Sequence, residues 1–308
     1  MQFISNEQIR EFDLSPEFIL PIVKSVLSAI KSGDIVIAPR PTIESRNGSR
    51  FMAFPVIIED LGMAGVKWLG TTNGPATGGR GGSVIVLNEI TSGKPFAVVD
   101  AAWITAVRTA TVSLFAALIM ASSDSRKIAF VGCGEQARLH LEYFARHFDL
   151  RAVSAFSRTM ESASRFAQSA QQAFGIHGSA HASLRECVSD ADIVISTTPS
   201  PSRELLKAEW LKENCFCSLV DLGRSFETNS MPSDRMFVVD DLAQFADLTR
   251  AGKLPVFSRV DPTTLVAISE GPKGHVSRTG GFLMPTGLGA VDVSIACAIF
   301  NRQRTNHS

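Results

Sequence analysis

The sequence has no excess charge of either sign, because 30 lysines and arginines balance 30 aspartates and glutamates across 308 residues. Such a balance gives no electrostatic reason to expect binding to nucleic acid or to an anionic membrane. A 45% share of hydrophobic residues and a 19% share of charged residues are typical of a globular chain. Recognition of an anion must therefore come from a few locally placed arginines and lysines.

Cysteines are scarce, and their number, five, is odd. None of them forms a C-x-x-C pair. Cys215 and Cys217 are separated by one residue in an apparent strand, so their side chains should face the same side. We therefore expect free thiols and assign no metal site.

Signals for export or membrane insertion are also missing. Residues 1–7 lack the basic start and the long apolar core of a signal peptide. The most apolar helix candidate, residues 109–121, is too short to span a bilayer. We therefore expect a cytoplasmic protein without a membrane partner.

The chain divides into two parts, and a polar break at residues 122–125 lies between them. Before the break, helices at 6–10 and 16–30 precede several short strands and a long helix at 100–121. After the break, strands alternate with helices, which predicts an α/β fold with a parallel, doubly wound sheet. The predicted strands are 127–131, 152–156, 192–196, 216–221 and 236–239, and the predicted helices are 135–148, 160–174 and 241–251. Residues 279–289 are predicted to be a glycine-rich link before a final helix at 290–300.

A Gly-Cys-Gly-Glu-Gln-Ala stretch follows the apolar run that opens the second part. A strand that ends in Gly-x-Gly-x-x-Ala at a helix start is typical of a dinucleotide site. Gly132 permits the tight turn, Gly134 lets a pyrophosphate approach the backbone, and Ala137 allows close packing. Glu135 and Gln136 would belong to the first helical turn, whose N–H groups face the phosphates. The alternative is a strand-to-helix turn without a ligand.

The next strand ends in Ser157, Arg158 and Thr159. NAD-preferring sites usually place an acidic residue at this point, where it binds the ribose 2′-hydroxyl. Two hydroxyls and a guanidinium suit a 2′-phosphate instead. We therefore favour NADP(H) over NAD(H); the alternative is that Arg158 is a solvated residue at a helix start.

Two further strands of the predicted parallel sheet end in polar residues. Thr197 and Thr198 follow one of them, where their hydroxyls would border the cofactor crevice or form a plain turn. Asp221 ends another, and a half-buried carboxylate there could act as a general acid or base. The alternative for Asp221 is a carboxylate that caps a helix or stabilises a loop.

Two cations lie in apolar surroundings in the first part of the chain. Lys67 interrupts an apolar strand, and Arg108 lies in a helix of small and apolar residues. Such cations need a partner or a cleft. If the two converge they would clamp a carboxylate, to which Arg40 and Arg80 could add, with Arg50 competing for the place of Arg40. The alternatives are that Lys67 extends to solvent and that Arg108 forms an internal ion pair.

Motifs that carry a family resemblance run through nearly the whole chain. They are GVKW at 65–68, VIVLN at 84–88, RTATVS at 108–113, GCGEQA at 132–137 and PTGLGAVD at 285–292. In their order and approximate spacing, the sequence resembles the ornithine cyclodeaminase/mu-crystallin family.

The resemblance implies a Rossmann domain at residues 122–286 that is inserted into a mixed α+β domain formed by residues 1–121 and 287–308. The second of these would bind the substrate and form a homodimer. The resemblance also implies hydride transfer between a nicotinamide and the α-carbon of a small amino acid or its imine.

The resemblance further implies roles for individual residues. Lys67 and Arg108 match positions that hold the substrate carboxylate, and Arg40 matches a further one. Asp221 matches the aspartate that handles the proton or water at the imine carbon, and we count Lys67 with it as catalytic. Arg108 and Thr109 are also candidate cofactor contacts.

Some residues point to different branches of the family. Arg80 and the run at 67–70 resemble the siderophore-pathway branch, whose enzymes oxidise N-(1-amino-1-carboxyethyl)glutamate. Residues 157–159 resemble the Asn-Arg-Thr of NADPH-using ketimine reductases such as mu-crystallin. Around Asp221 the sequence departs from the Pro-Gly-Lys pattern that often follows the catalytic aspartate. A cyclodeaminase that releases ammonia from ornithine or lysine, and a non-catalytic protein that binds NADPH and a small ligand, are alternatives.

Overall fold

The structure is a computed structural model that describes residues 1–72, 81–198, 205–254, 260–269 and 279–306. The chain folds into two compact units. The first unit comprises Met1–Arg108 and Leu288–Ser308, and the second comprises Thr109–Gly287. The first boundary therefore lies inside the long helix, earlier than the polar break at 122–125, because the second half of this helix packs within the second unit.

The described residues form strands and helices that we number in chain order. The strands are β1 (Gln2–Ile4), β2 (Ile35–Ile37), β3 (Thr42–Glu44), β4 (Arg50–Ile58), β5 (Met63–Thr71), β6 (Ser83–Glu89), β7 (Pro95–Asp100), β8 (Lys127–Val131), β9 (Ala152–Phe156), β10 (His177–Ala180), β11 (Ile193–Ser196), β12 (Phe216–Leu219), β13 (Phe237–Val239), β14 (Pro262–Thr264) and β15 (Gly281–Met284). The helices are α1 (Asn6–Arg10), α2 (Pro16–Ser32), α3 (Ala102–Met120), α4 (Glu135–His147), α5 (Met160–Phe174), α6 (Leu184–Val188), α7 (Leu242–Arg250), α8 (Leu265–Ser269) and α9 (Gly289–Asn306).

The first unit is built on a mostly antiparallel sheet with the order β1-β7-β6-β5-β4-β2, to which β3 adds beside β4. Residues alternate between the two faces, so Phe54, Val56 and Ile58 of β4 are buried. Helices α2 and α9 pack together, and α9 contacts β4, β5 and β6. Strand β1 pairs in parallel with β7 and has no counterpart among the predicted strands, because three residues are too few to show a period.

The second unit contains an eight-stranded parallel sheet in its described residues, with the order β10-β9-β8-β11-β12-β15-β13-β14. The α/β prediction with a doubly wound parallel sheet is thereby confirmed. The central strands β11 and β12 are buried along their whole length, and β8 is buried except at the half-buried Lys127, as expected of strands covered on both faces.

One strand of this sheet was wrongly predicted to be a link. Residues 281–284 form β15, which is fully buried between β12 and β13. Gly281 has φ +128°, and a Cβ there would lie 2.7 Å from the carbonyl oxygen of Met236. The glycines that suggested a loop are therefore required by close packing at the start of a short buried strand.

Helix α3 also differs from its prediction. It covers 19 residues, so by length and composition it could cross a membrane, and the prediction that it is too short is wrong. Most of it is buried within the protein, as the core helix of a globular fold is, so its apolar character is weak evidence for a membrane segment.

Candidate functional site

The glycine turn of the second unit has the strained backbone that only glycine adopts easily. Gly132 follows β8 with φ +96°, and its N–H donates to the carbonyl of Phe156 at 2.8 Å. A Cβ at this position would lie 3.0 Å from backbone atoms of Thr197 and Thr198. The first glycine of the motif is therefore fixed by both conformation and close approach.

The second glycine leaves open space at the start of α4. Gly134 is the N-cap residue with extended backbone, and no side chain caps the helix there. A Cβ at Gly134 would meet nothing within 4 Å. Ala137 is fully buried in the first turn, whereas Glu135 is exposed and Gln136 is half-buried. An uncapped helix start beside open space fits the pyrophosphate of a dinucleotide.

The carboxyl ends of four parallel strands meet at the edge of the sheet where this turn lies. In the register, Val131 pairs with Phe156 and with Ser196, and Ser196 pairs with Leu219. The polar residues that follow these strands are therefore neighbours. This edge is where parallel α/β sheets bind their ligands.

The residues after β9 differ in how far their side chains are already engaged. Thr159 caps α5: its hydroxyl accepts from the N–H of Ser162 at 3.3 Å and donates to the Ser162 hydroxyl at 2.9 Å. Ser157 is half-buried next to Cys133. Arg158 is exposed, and no ion pair engages it among the residues with described positions. Arg158 is therefore the group at this edge that is available to an anion.

Thr197 ties the end of β11 to the glycine turn, because its hydroxyl donates to the carbonyl of Gly132 at 3.1 Å. This bond gives Thr197 a structural role at the predicted cofactor edge. Thr198 follows it and is half-buried.

Asp221 lies in a turn after β12, two residues beyond the end of that strand rather than at its last position as predicted. Its Oδ2 accepts from the Ser196 hydroxyl at 2.5 Å and from the N–H of Ser225 at 3.2 Å. Its Oδ1 accepts from the N–H of Gly223 at 3.0 Å. Leu222, with φ +61°, gives the turn its left-handed backbone.

The pKa of Asp221 is raised because burial penalises the charged carboxylate, although the hydrogen bonds of Ser196, Ser225 and Gly223 lower it in part. Only 6% of the residue is exposed. The arrangement is that of a loop-stabilising carboxylate, one of the alternatives from the sequence. A raised pKa is also what a proton-transferring group at this edge would need.

Lys67 and Arg108 converge in the first unit, and the group they share is Asp292. The Lys67 Nζ lies 2.7 Å from Asp292 Oδ1, and the Arg108 Nε lies 3.2 Å from the same oxygen. Lys67 and Asp292 are completely buried. The alternative in which Lys67 extends to solvent is therefore wrong, whereas the internal ion pair considered for Arg108 is present.

Asp292 was missed as a site residue. It lies in the first turn of α9, a helix otherwise made of small and apolar residues near its start. The sequence does contain a sign of its role, because Asp292 is an acidic residue inside an apolar run, just as Lys67 is a basic residue inside the apolar strand β5. Its Oδ2 is buried and has no hydrogen-bond partner in the described part of the chain.

Arg40 adds a third cation to this cluster. Its guanidinium lies 5.0 Å from the centre of the Phe54 ring, and the Lys67 Nζ lies 5.7 Å from the same centre. The charge of Arg40 lowers the pKa of Lys67, which places it with the cluster, whereas Arg50 begins β4 opposite Glu44. Arg40 thus adds positive charge beside the two cations that share Asp292.

This excess of positive charge affects Lys67 directly. The pKa of Lys67 is lowered to about 8, chiefly by burial and also by the charges of Arg108 and Arg40, although Asp292 raises it in part. A site with three cations and one carboxylate suits an anionic group such as a second carboxylate. Arg80, a further candidate, lies outside the described residues, and Thr109 is buried directly after Arg108.

The family model described as "Ornithine cyclodeaminase/mu-crystallin family" matches residues 4–263. The match covers most of the chain and confirms the resemblance carried by the motifs.

Relatives in the same family are named for reactions of amino acids. An alanine dehydrogenase of Archaeoglobus fulgidus is 30% identical over 69% of this chain and 65% of its own length, just under two thirds. An N-((2S)-2-amino-2-carboxyethyl)-L-glutamate dehydrogenase of Staphylococcus aureus is 28% identical over 71% of this chain and 68% of its own.

A solved structure gives the same fold. The structure of an archaeal alanine dehydrogenase dimer with bound NAD has a TM-score of 0.85 and 24% identity, and the match covers 99% of this chain and 97% of the other. The comparisons support a nicotinamide cofactor, in agreement with the glycine turn, and leave the choice between NAD and NADP open.

Proposed function

Because the chain belongs to the ornithine cyclodeaminase/mu-crystallin family, we propose that it is an NAD(P)-dependent oxidoreductase that acts on the C–N bond at the α-carbon of an amino acid or its imine. The names of its relatives support this activity. The observation that carries the proposal is that the buried side chains of Lys67 and Arg108 lie together. An amino-acid or imino-acid substrate has a carboxylate, and two such cations could bind it.

The first unit supplies the substrate site in this proposal. Lys67 and Arg108 bind the substrate carboxylate, and Arg40 strengthens the field around it. Lys67 uses one of its donors on Asp292, and the terminal nitrogens of Arg108 have no acceptor among the described residues, so both cations retain donors for a ligand. Holding the carboxylate fixes the position of the adjacent carbon, and such positioning lowers the activation barrier of hydride transfer.

The second unit supplies the cofactor site. Gly132, Gly134 and the first turn of α4 would hold the pyrophosphate, and a nicotinamide bound there would supply or accept the hydride. NADP(H) is favoured over NAD(H), because Arg158 is exposed and unengaged where an acidic residue would otherwise bind the ribose.

Asp221 handles the proton or water in this proposal. In the reductive direction the imine carbon receives the hydride and a proton must reach the nitrogen, and in the oxidative direction water must be activated to attack the imine carbon. The raised pKa of Asp221 supports a carboxyl that exchanges protons nearer to neutral pH. In a cyclodeaminase an internal amine would attack the imine instead, with release of ammonia.

The assembly proposed is a homodimer through the outer face of the first-unit sheet. This face, opposite α2 and α9, exposes 49% of Val36, 37% of Ile57 and 41% of Trp68, and it contains a shallow apolar depression of about 270 Å³. Apolar patches of this kind mark interaction surfaces. A second copy is the proposed occupant because the alanine dehydrogenase of similar fold is described as a dimer.

The activity is tested with purified protein and a substrate panel, read by nicotinamide absorbance in both directions. The panel contains L-alanine, ornithine, lysine and a carboxyethyl-glutamate with NAD(P)⁺, and cyclic imines or 2-oxo acids with an amine and NAD(P)H. We expect a substrate-dependent change in nicotinamide absorbance. Lys67→Met should abolish this change, whereas the control Lys24→Met, at an exposed position, should retain it. No change in absorbance and no release of ammonia with any member of the panel would leave the non-catalytic binding protein as the better hypothesis.

An ammonia assay on the same reactions separates the two enzymatic alternatives. A reductase or opine-type dehydrogenase converts its substrate with a net change in NAD(P)H. A cyclodeaminase releases ammonia from ornithine or lysine and returns the cofactor to its starting redox state.

A further inference from the structure

The first turn of α9 is held unusually close to the sheet that carries Lys67. A Cβ at Gly65 would lie 2.7 Å from Val293 Cγ1, and a Cβ at Gly289 would lie 2.7 Å from Phe54 Cβ. Gly65 lies on β5 and faces α9, and Gly289 begins α9 and faces β4. The sheet and the helix therefore each lack a side chain at one point where they meet. This double close approach fixes Asp292, between Gly289 and Val293, against Lys67.

We propose that Asp292 is a positioning residue, which keeps the buried Lys67 protonated and directs Lys67 and Arg108 toward the carboxylate of the substrate. The proposal rests on the function proposed above, and it assigns Asp292 a role through Lys67 and Arg108 rather than through contact with the reacting atoms.

The charges around Lys67 explain why it needs such a residue. Arg108 on α3 and Arg40 before β3 both disfavour a further positive charge, and the Phe54 ring on β4 offers only a weak cation–π contact at 5.7 Å. Burial disfavours the ammonium most strongly. Asp292 is the acidic group that favours it among the described charges acting on Lys67.

The geometry differs from that of a pair built for stability alone. An arginine and a carboxylate usually form two parallel hydrogen bonds that use both oxygens. Here both cations share Oδ1, and the buried Oδ2 has no donor in the described part of the chain. Leaving such a buried oxygen unpaired is unfavourable. A single shared oxygen, however, leaves donors of both cations free for a ligand.

The titration of Lys67 tests the proposal without any substrate. Protein labelled with ¹³C at lysine Cε is titrated by NMR, and the Lys67 signal is assigned from its loss in Lys67→Arg. We expect the wild-type midpoint near pH 8, and in Asp292→Asn a midpoint lower by about one to three pH units. Asp292→Glu keeps the negative charge and should stay close to the wild type. An unchanged midpoint in Asp292→Asn would overturn the proposal.

Ligand binding shows whether that protonation matters. The probe is pyrrole-2-carboxylate, whose carboxylate keeps its charge across neutral and alkaline pH, measured by calorimetry. Wild-type affinity should fall as pH rises through the Lys67 midpoint. In Asp292→Asn the affinity should be about tenfold weaker at neutral pH and should recover as pH is lowered. A purely structural defect would not be restored by acid, and in the Lys67→Arg background the pH dependence should disappear.

The outcomes also separate this proposal from the proposed function. If the wild-type protein turns over no substrate but Lys67 still titrates as described, the enzymatic function fails and the role of Asp292 in charging Lys67 stands. If turnover is found and Asp292→Asn has wild-type pH dependence for both the Lys67 signal and probe binding, the role of Asp292 fails alone. If Asp292→Asn does not fold, the wild type is compared with Asp292→Glu and Lys67→Arg. We expect the affinity for the probe to fall at the pH at which Lys67 titrates. An affinity that does not follow the Lys67 midpoint would overturn the proposal.

Discussion

The Lys67 ammonium lies 2.7 Å from the Asp292 carboxylate although 225 positions separate them in the sequence. The last helix of the chain therefore completes a cluster that begins on a strand in the first quarter. Breaking a buried pair by removing one partner is strongly destabilising, because the remaining charge is left in an apolar interior. The residues of the proposed substrate site therefore also contribute to the stability of the first unit.

The two glycines of the dinucleotide turn should respond differently to alanine. Gly132→Ala forces a side chain into a left-handed backbone and toward Thr197 and Thr198, so it should lower the free energy of unfolding by about 1–3 kcal/mol and weaken cofactor binding. Gly134→Ala meets no protein atom within 4 Å and should leave the melting temperature unchanged. It should still weaken cofactor binding, because the methyl group fills the space that the phosphates need.

Calorimetric melting and fluorescence titration with NADPH check both glycine variants. Normal cofactor affinity in a folded Gly134→Ala would contradict the assignment of this turn to the pyrophosphate. A stable Gly132→Ala would contradict the strain inferred from its backbone.

Cofactor preference should depend on Arg158. Arg158→Ala should weaken the binding of NADPH about tenfold or more and leave the affinity for NADH nearly unchanged, because a charge-assisted hydrogen bond to the 2′-phosphate is lost. Arg165→Ala serves as the matched control, because Arg165 is an exposed arginine on α5, the helix that follows Arg158, and its ion pair with Glu161 is long at 3.8 Å. Equal losses for the two cofactors, or tighter NADH binding by the wild type, would remove the role given to Arg158.

Much of the fold was predictable because its signals are local. The strands β8 and β9 and the helix α5 agree with their predicted bounds, since each combines a strong period with clear ends. The buried β15 was not predictable in the same way. It has only four residues and begins at a Gly-Gly pair, and its strand character comes from the two neighbours between which it lies.

The site was predictable to a lesser degree, because its geometry depends on distant partners. An apolar sequence around Lys67 indicates that the lysine needs a partner, but only the fold reveals that the partner is Asp292. For Asp221, the sequence placed a carboxylate at a strand end. The turn that surrounds it with three hydrogen-bonded residues depends on the left-handed Leu222, which no local pattern signals.

Replacing Asp221 should separate catalysis from binding. Asp221→Asn should reduce turnover by about 100-fold or more while NADPH affinity stays close to the wild type, because the proton-transferring group is lost and the cofactor turn is intact. A Ser196→Ala variant refines the test. The Ser196 hydroxyl lowers the pKa of Asp221, so its removal should raise that pKa and move the acid limb of the rate profile to higher pH.

Steady-state rates across pH and melting curves check both variants of the Asp221 turn. If Asp221→Asn melts earlier but retains wild-type turnover at a temperature where it is folded, Asp221 stabilises the loop only. The same holds if Ser196→Ala changes stability without moving the rate profile.

The oligomeric state should depend on the outer face of the first-unit sheet. Ile57→Glu places a charge on this face, beside Ala64 in the register, and should convert a homodimer into monomers. Phe174→Glu changes a comparably exposed apolar residue in the second unit and serves as the control. Sedimentation velocity at several concentrations measures the effect. A dimer that persists in Ile57→Glu would direct the search for the interface to another surface.

Acid should destabilise the second unit through His140, which is completely buried. Its Nδ1–H donates to the carbonyl of Gln136 at 2.7 Å, because a carbonyl can only accept. Its Nε2 then accepts from the Ser113 hydroxyl at 3.0 Å, and the Ser218 hydroxyl donates to Ser113 at 2.9 Å. This chain needs a neutral imidazole, and burial lowers the pKa of His140 from 6.5 to about 4.

The direction of the effect follows from where the proton binds. Between pH 6.5 and about 4 the unfolded chain protonates His140 and the folded chain does not, so the free energy of unfolding decreases as pH falls through this interval. At about 1.4 kcal/mol per pH unit, the contribution lost is about 3 kcal/mol. His140→Gln should therefore show a flatter acid limb in urea unfolding measured across this range, whereas the exposed His177→Gln should follow the wild type. Parallel curves for His140→Gln and the wild type would show that another group governs the acid limb.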